Sequence, residues 1–258
     1  MLPNQMSLKG RFRSIWTSLL LSVPTDFADR LEELTKIVFT DSLNNLRLVD
    51  DLELTVVAIA IGAYWHQDLQ QVRTRLLDLQ SQNPIDIEEM VLAYVIALAC
   101  RYELKPKSFI SQICYDFEKR RSLSSDPQSQ ADCLAKLRLT QKYVDQGVSA
   151  ITAHQGKQGL SGGIYSSLYY FLSTPHSWQI VSERAHHHHH LDRLDKSPSA
   201  EHLAHTQVLM QAGAIAAAYL GELGNTDKFA YEILSRGERL GDRLWCEWAG
   251  VFDVKLDS

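Results

Sequence analysis

An all-α fold is what this sequence predicts, and three observations carry the prediction. Apolar residues recur at helical spacing through most of the 258 residues, runs that alternate apolar and polar residues are scarce, and Pro, Gly, Ser, Asn and Asp mark the breaks. Hydrophobic residues at 45% and charged residues at 22% suit a globular core. The length accommodates one large helical domain over 1–258, although length alone leaves two smaller ones open.

Taken in order, 8–21 gives a first helix that stops near Pro24, and Asp26 is positioned to cap a second helix carrying Phe27, Leu31, Leu34, Val38 and Phe39. The segment 50–65 is nearly all apolar after an acidic start, so it reads as a central helix packed on several sides. Its carboxylates lie where a helix N-terminus favours negative charge. After a hinge at His66-Gln67-Asp68 come a helix over 69–79, a break at Asn83-Pro84 and a second apolar helix over 85–101. The segment 107–121 is amphipathic, 122–129 reads as a surface loop, and 133–148 resumes helical spacing. A glycine-rich connector over 156–163 leads to two helices over 163–171 and 175–185, with Thr174 as cap and Pro175 in the first turn. One or two closing helices follow over 226–251, anchored by Leu240, Leu244, Trp245 and Trp248.

Charge and composition remove several function classes. A net charge of -5 and a pI near 6.0 supply no basic face for nucleic acid. The apolar run 15–23 is too short to span a bilayer and no small-residue cleavage pattern follows it, so it reads as a core helix of a cytoplasmic protein rather than a signal or membrane anchor. Cys100, Cys114, Cys133 and Cys246 form no Cys-x-x-Cys pair, which favours reduced structural thiols. Nucleophile-elbow, phosphate-loop and dinucleotide signatures are absent.

Histidine stands out, with His186 to His190 consecutive inside a His-rich insertion near 186–200. Neutral imidazole suits nickel, zinc or copper, but consecutive helical residues point in different directions, so an exposed low-complexity insertion is the favoured reading. His202 and His205 lie beside Glu201 without the His-Glu-x-x-His spacing of zinc peptidases and read as solvated helix polar residues. His66, His154 and His176 read as caps or surface residues. The spacing of Tyr64, Trp65, Tyr165, Tyr169, Tyr170 and Phe171 favours core packing over stacking on a ligand base.

Three blocks carry a family likeness: Ala58-Ile59-Ala60-Ile61-Gly62-Ala63-Tyr64-Trp65-His66-Gln67-Asp68-Leu69, then Leu92-Ala93-Tyr94-Val95-Ile96-Ala97-Leu98-Ala99, then Gly163 to Pro175 with Arg184-Ala185 and the later Gln211-Ala212-Gly213-Ala214-Ile215-Ala216. In order and spacing they resemble the ADP-ribosylglycohydrolase family, in particular its short, divergent cyanobacterial-type members. The resemblance implies an all-helical hydrolase fold in which Thr-Asp-Asp-Thr and Gly-Asp-Thr-Asp-Thr motifs hold two magnesium or manganese ions. Those ions ready a water for attack on ADP-ribose.

This chain departs from the pattern at each motif. Asp50-Asp51 is the candidate for the first, with Val49 and Leu52 in place of threonines, and a plain helix-capping role competes with it. At the second stand the histidine run and Asp192-Arg193-Leu194-Asp195, where Asp192 and Asp195 are one turn apart. Lys9-Gly10-Arg11-Phe12-Arg13-Ser14-Ile15-Trp16 replaces the family's N-terminal glycine element. The expectation is therefore a non-catalytic relative with no catalytic, cofactor or metal residue assigned and no cofactor required, used for ligand sensing or partner binding. ADP-ribose or an ADP-ribosylated protein is the expected partner, with no nucleic acid and no membrane. An active hydrolase using Asp50, Asp51, Asp192 and Asp195 with magnesium or manganese is the first alternative, and a helical interaction scaffold the second.

Overall fold

Twelve α-helices and one 3-10 turn make up the regular structure among the described residues of the computed structural model, which are 7–39, 46–48, 50–80, 83, 85–119, 127–154, 159–160, 163–187, 198–225 and 229–251. None of them is in a strand, as the scarcity of apolar alternation predicts.

Helix α1 (Leu8–Ser22) starts at Ser7, whose hydroxyl accepts the Gly10 amide at 3.1 Å. Asp26 does not cap the next helix: it lies inside the 3-10 turn Thr25–Phe27 that follows Pro24, and α2 spans Ala28–Phe39. The central pair is α3 (Asp51–Tyr64) and α5 (Ile87–Cys100), linked through α4 (Leu69–Gln80). Leu52 to Ala63 and Glu89 to Cys100 are buried without interruption, which is why these two segments show apolar residues on every face. They cross where Gly62 meets Ala93: a Cβ on Gly62 would lie 2.4 Å from the Ala93 carbonyl oxygen, so only glycine permits this approach. Buried Asn83 clasps the segment before α3, accepting the Leu48 amide and donating to the Leu46 carbonyl, both at 2.9 Å.

Helix α6 (Phe109–Lys119) packs on α7 (Pro127–Asp145). The expected loop over 122–129 is shorter than its composition suggests, because Pro127 already opens α7; residues 122–126 lie outside the described residues. Short α8 (Ala150–His154) precedes α9 (Gly163–Ser173). Next, α10 (Trp178–His186) begins three residues later than predicted. Ser177, not Thr174, accepts the Ile180 amide as cap, while the Thr174 hydroxyl donates back to the Tyr170 carbonyl at 3.1 Å. Two long helices close the chain, α11 (Pro198–Leu220) and α12 (Tyr231–Ala249), the latter ending at Gly250 in the left-handed conformation. The His-rich insertion is partly helical, since His186 ends α10 and Pro198 opens α11; residues 188–197 lie outside the described residues.

Helix α1 lies between α11 and α12. Gly237 and Gly241 of α12 face Thr17 and Arg13, where an added Cβ would come within 2.3 and 2.4 Å of existing atoms. Arg13 then grips Asp242 through one guanidinium edge, Nε and one Nη donating to the two carboxylate oxygens at 2.5 and 2.7 Å. Arg11 is 4% exposed and donates to Ala99, Ala218 and Tyr219 carbonyls, placing one buried cation at the C-terminal ends of both α5 and α11. Its guanidinium also lies 3.7 Å from the centre of the Tyr102 ring. Phe12, Ile15, Trp16 and Leu19 of α1 join the α3, α5, α9 and α11 side chains in one apolar core cluster. The four cysteines are free thiols, three of them buried. Among the described residues no helix is long and apolar enough to cross a membrane.

Candidate functional site

The start of α3 decides what Asp50 and Asp51 can do. Asp50 is the N-cap, its Oδ1 accepting the Glu53 amide at 2.9 Å. Asp51 is exposed in the first turn. Glu53 points the other way, 5% exposed, with Oε1 at 2.6 Å from the Arg30 Nε of α2. Arg30 also binds Glu33 at 2.7 Å, and the hydrogen bonds to Glu53 and then Glu33 hold the guanidinium well above its ordinary pKa. The acidic start is thus a helix cap and an ion pair.

One turn further on, α3 presents buried Thr55 toward α11. Its Oγ1 accepts from the Gln207 and Gln211 side-chain amides at 3.3 and 3.5 Å. The Ser167 hydroxyl of α9 lies 2.6 Å from the Gly163 carbonyl, 3.1 Å from the Val208 carbonyl and 3.2 Å from Gln211 Oε1. Only amides and hydroxyls make these bonds between α3, α9 and α11. The resemblance had placed its two motifs at the start of α3 and just ahead of the Ala-Gly stretch of α11. These helices do meet, but the groups that meet are neutral. Magnesium and manganese need several oxygen donors, carboxylates above all. Among the described residues no group of three or more His, Cys, Asp or Glu could hold a metal ion, and this seam does not fit the dinuclear pair; Asp192 and Asp195 lie outside the described residues.

The histidines correct the sequence reading at His205, while His66 and His154 each bond a carbonyl of the helix they end or follow. His205 is 8% exposed rather than solvated, with Nε2 at 2.8 Å from the His186 carbonyl and its ring 5.4 Å from that of His186. His66 is 3% exposed, with Nδ1 at 2.7 Å from the Ala63 carbonyl and its ring against Phe12 and Trp248. Burial pushes its pKa below the usual value. His154 stacks on Tyr170 at 5.5 Å and brings Nε2 within 3.1 Å of the buried Ser166 hydroxyl, while Nδ1 faces the Ala150 carbonyl at 2.7 Å. His176 and His202 are exposed, as expected. Tyr165, Tyr169, Tyr170 and Phe171 pack in the core, also as expected.

A second polar locus has no counterpart in the sequence reading. A cavity of about 260 Å³ lies where the start of α5 meets α7 and α9, lined among others by Asp86, Glu88, Asp132, Cys133, Lys136 and Tyr165. Asp86 and Glu89 form a reciprocal cap at its edge, the Asp86 amide donating to Glu89 Oε2 at 3.1 Å. The Tyr165 hydroxyl hydrogen-bonds with Glu88 and Cys133, and the Lys136 ammonium lies 5.0 Å from the Tyr165 ring centre. Burial pushes the Glu88 and Glu89 carboxyls up, Glu89 to about 8, and the Cys133 thiol up to about 12, so this thiol is a poor nucleophile. The only local trace of this locus is the Asp86-x-x-Glu89 capping box; its other members come from helices far away in the chain.

No family model, curated protein or solved structure matches this chain.

Proposed function

We propose that this chain is a non-catalytic, ADP-ribosylglycohydrolase-like helical protein that binds ADP-ribose or an ADP-ribosylated partner without a metal. The observation that carries the reading is the seam between α3 and α11. Asp50 caps a helix, Glu53 is paired with Arg30, and Thr55, Gln207, Gln211 and Ser167 hydrogen-bond with one another. Neutral amides and hydroxyls bonded to one another offer no anionic oxygen to a cation, whereas priming a water at neutral pH needs a cation held by such oxygen.

Turnover of ADP-ribosylated substrates, followed alongside calorimetric titration with ADP-ribose in magnesium, in manganese and in chelator, tests this. No released ADP-ribose and an affinity indifferent to chelator are expected. Metal-dependent release that disappears in Asp50→Ala and Asp51→Ala would restore the hydrolase reading. Absence of ADP-ribose binding, with a stable protein complex recovered on pull-down, would leave the scaffold reading instead.

A further inference from the structure

Helix α12 packs chiefly along α1, and its last turn meets a residue just beyond α3: the half-buried Trp248 ring lies 5.1 Å from the ring of His66. Phe12 of α1 stands edge-on to the same imidazole at 5.9 Å, and together the neighbours leave His66 only 3% exposed. Phe12 is fully buried, so of the two aromatic walls only Trp248 borders solvent.

The bond to the backbone settles which ring nitrogen is bare. Nδ1 lies 2.7 Å from the Ala63 carbonyl oxygen, which can only accept, so Nδ1 carries the proton of the neutral ring. A proton added to Nε2 would create a donor without an acceptor among the described residues, and a buried cation without a counter-charge. Helices α1 and α12 bring aromatic rings to it, Arg101 just past α5 brings positive charge, and among the described residues no carboxylate acts on it. Arg101 pairs with Glu103 at 2.7 Å, which tempers its repulsion, so burial is the larger obstacle. Attraction of an imidazolium to the Trp248 face is worth about 1–2 kcal/mol, less than the several kcal/mol that burying an unpaired charge costs. The charged ring therefore needs water at Nε2, and the wall able to admit it is Trp248.

We propose that His66 is an acid-operated latch: as the neutral ring it seats Trp248 and fastens the end of α12 to α3, and on protonation it releases Trp248 and frees the last two turns of α12. The proton comes from solvent, and no other group needs to change its charge.

Hydrogen exchange of the full chain between about pH 7.5 and about pH 5, corrected for the intrinsic rate, reads the release directly. Protection over 243–249 is expected to fall at least about tenfold on acidification, with no loss over α5. His66→Asn keeps a donor for the Ala63 carbonyl but cannot take up a proton, and should hold that protection flat. Arg101→Gln removes the like charge, so its release should begin at a higher pH than in the native chain. The proposal is overturned by flat protection in the native chain, by a loss spread evenly over all helices, or by an unchanged fall in His66→Asn. Should His66→Asn not fold, Arg101→Gln decides: an upward move of the midpoint supports the latch, and an unmoved midpoint overturns it.

Discussion

Glu53 and Glu89 occupy the same local position in two different helices. Each is the third residue after an aspartate N-cap, Asp50 for α3 and Asp86 for α5, and each is almost wholly buried, at 5% and 8% exposure. Their surroundings differ in the cation that Glu53 has from another helix. Arg30 reaches Glu53 from α2, its Nε at 2.6 Å from the carboxylate. No cation comes to Glu89 among the described residues, so burial pushes its pKa to about 8 and it is held as the acid at neutral pH. The local motif sets where a carboxyl points; the tertiary partner sets whether it carries charge.

The largest effect expected from a single substitution at one pH comes from making the first site resemble the second. Arg30→Met would leave Glu53 buried without its cation, and chemical denaturation at pH 7 should show a loss of about 3 kcal/mol, recovered in large part by adding Glu53→Gln. A loss below about 0.5 kcal/mol would mean that the pair is screened by solvent and that the contrast with Glu89 is overstated.

The reverse change, Glu89→Gln, should remove a pH dependence. The folded-state pKa of Glu89 is raised from 4.5 to about 8. Its contribution is therefore fully present below about pH 4.5 and is lost progressively as pH rises to about 8. Native stability should fall relative to Glu89→Gln by at most about 1.4 kcal/mol per pH unit within that window, and urea midpoints taken from pH 5 to pH 9 measure it. Parallel curves for the two proteins would place Glu89 in a better hydrated setting than its burial indicates.

Smallest is the effect that separates the two aspartates ahead of Glu53. Asp50→Ala removes a cap and should cost about 1 kcal/mol, whereas Asp51→Ala, at an exposed first-turn position, should stay within about 0.5 kcal/mol. Thermal melts of the two variants check this, and equal costs would argue against the cap.

How much of this was readable beforehand depends on sequence distance. Asp51 to Tyr64 and Ile87 to Cys100 were legible as buried helices because a fully apolar run with an acidic start reports its own burial. The capping role of Asp50 was one of two readings left open, and the other required Asp192 and Asp195 as partners, which no local pattern brings to Asp50. The start of α10 was misplaced because Thr174 and Pro175 offer a plausible cap. Ser177 supplies the cap instead, and the Trp178 ring nitrogen bonds Ser18 at 2.9 Å, far back in the chain. Burial of His66 and His205 was missed for the same reason: single polar residues carry no periodicity. The cavity at α5 was not legible, since Glu88, Cys133 and Tyr165 come from three helices and each looks ordinary in its own segment.

The central claim is that the acidic start of α3 serves the fold and holds no metal. Titration of the purified chain with manganese, followed by the loss of the free-ion paramagnetic resonance signal, addresses it most directly. The account predicts no high-affinity manganese binding and the same titration curve for Asp50→Ala and Asp51→Ala. Two tightly held ions per chain, lost in those variants, would contradict it.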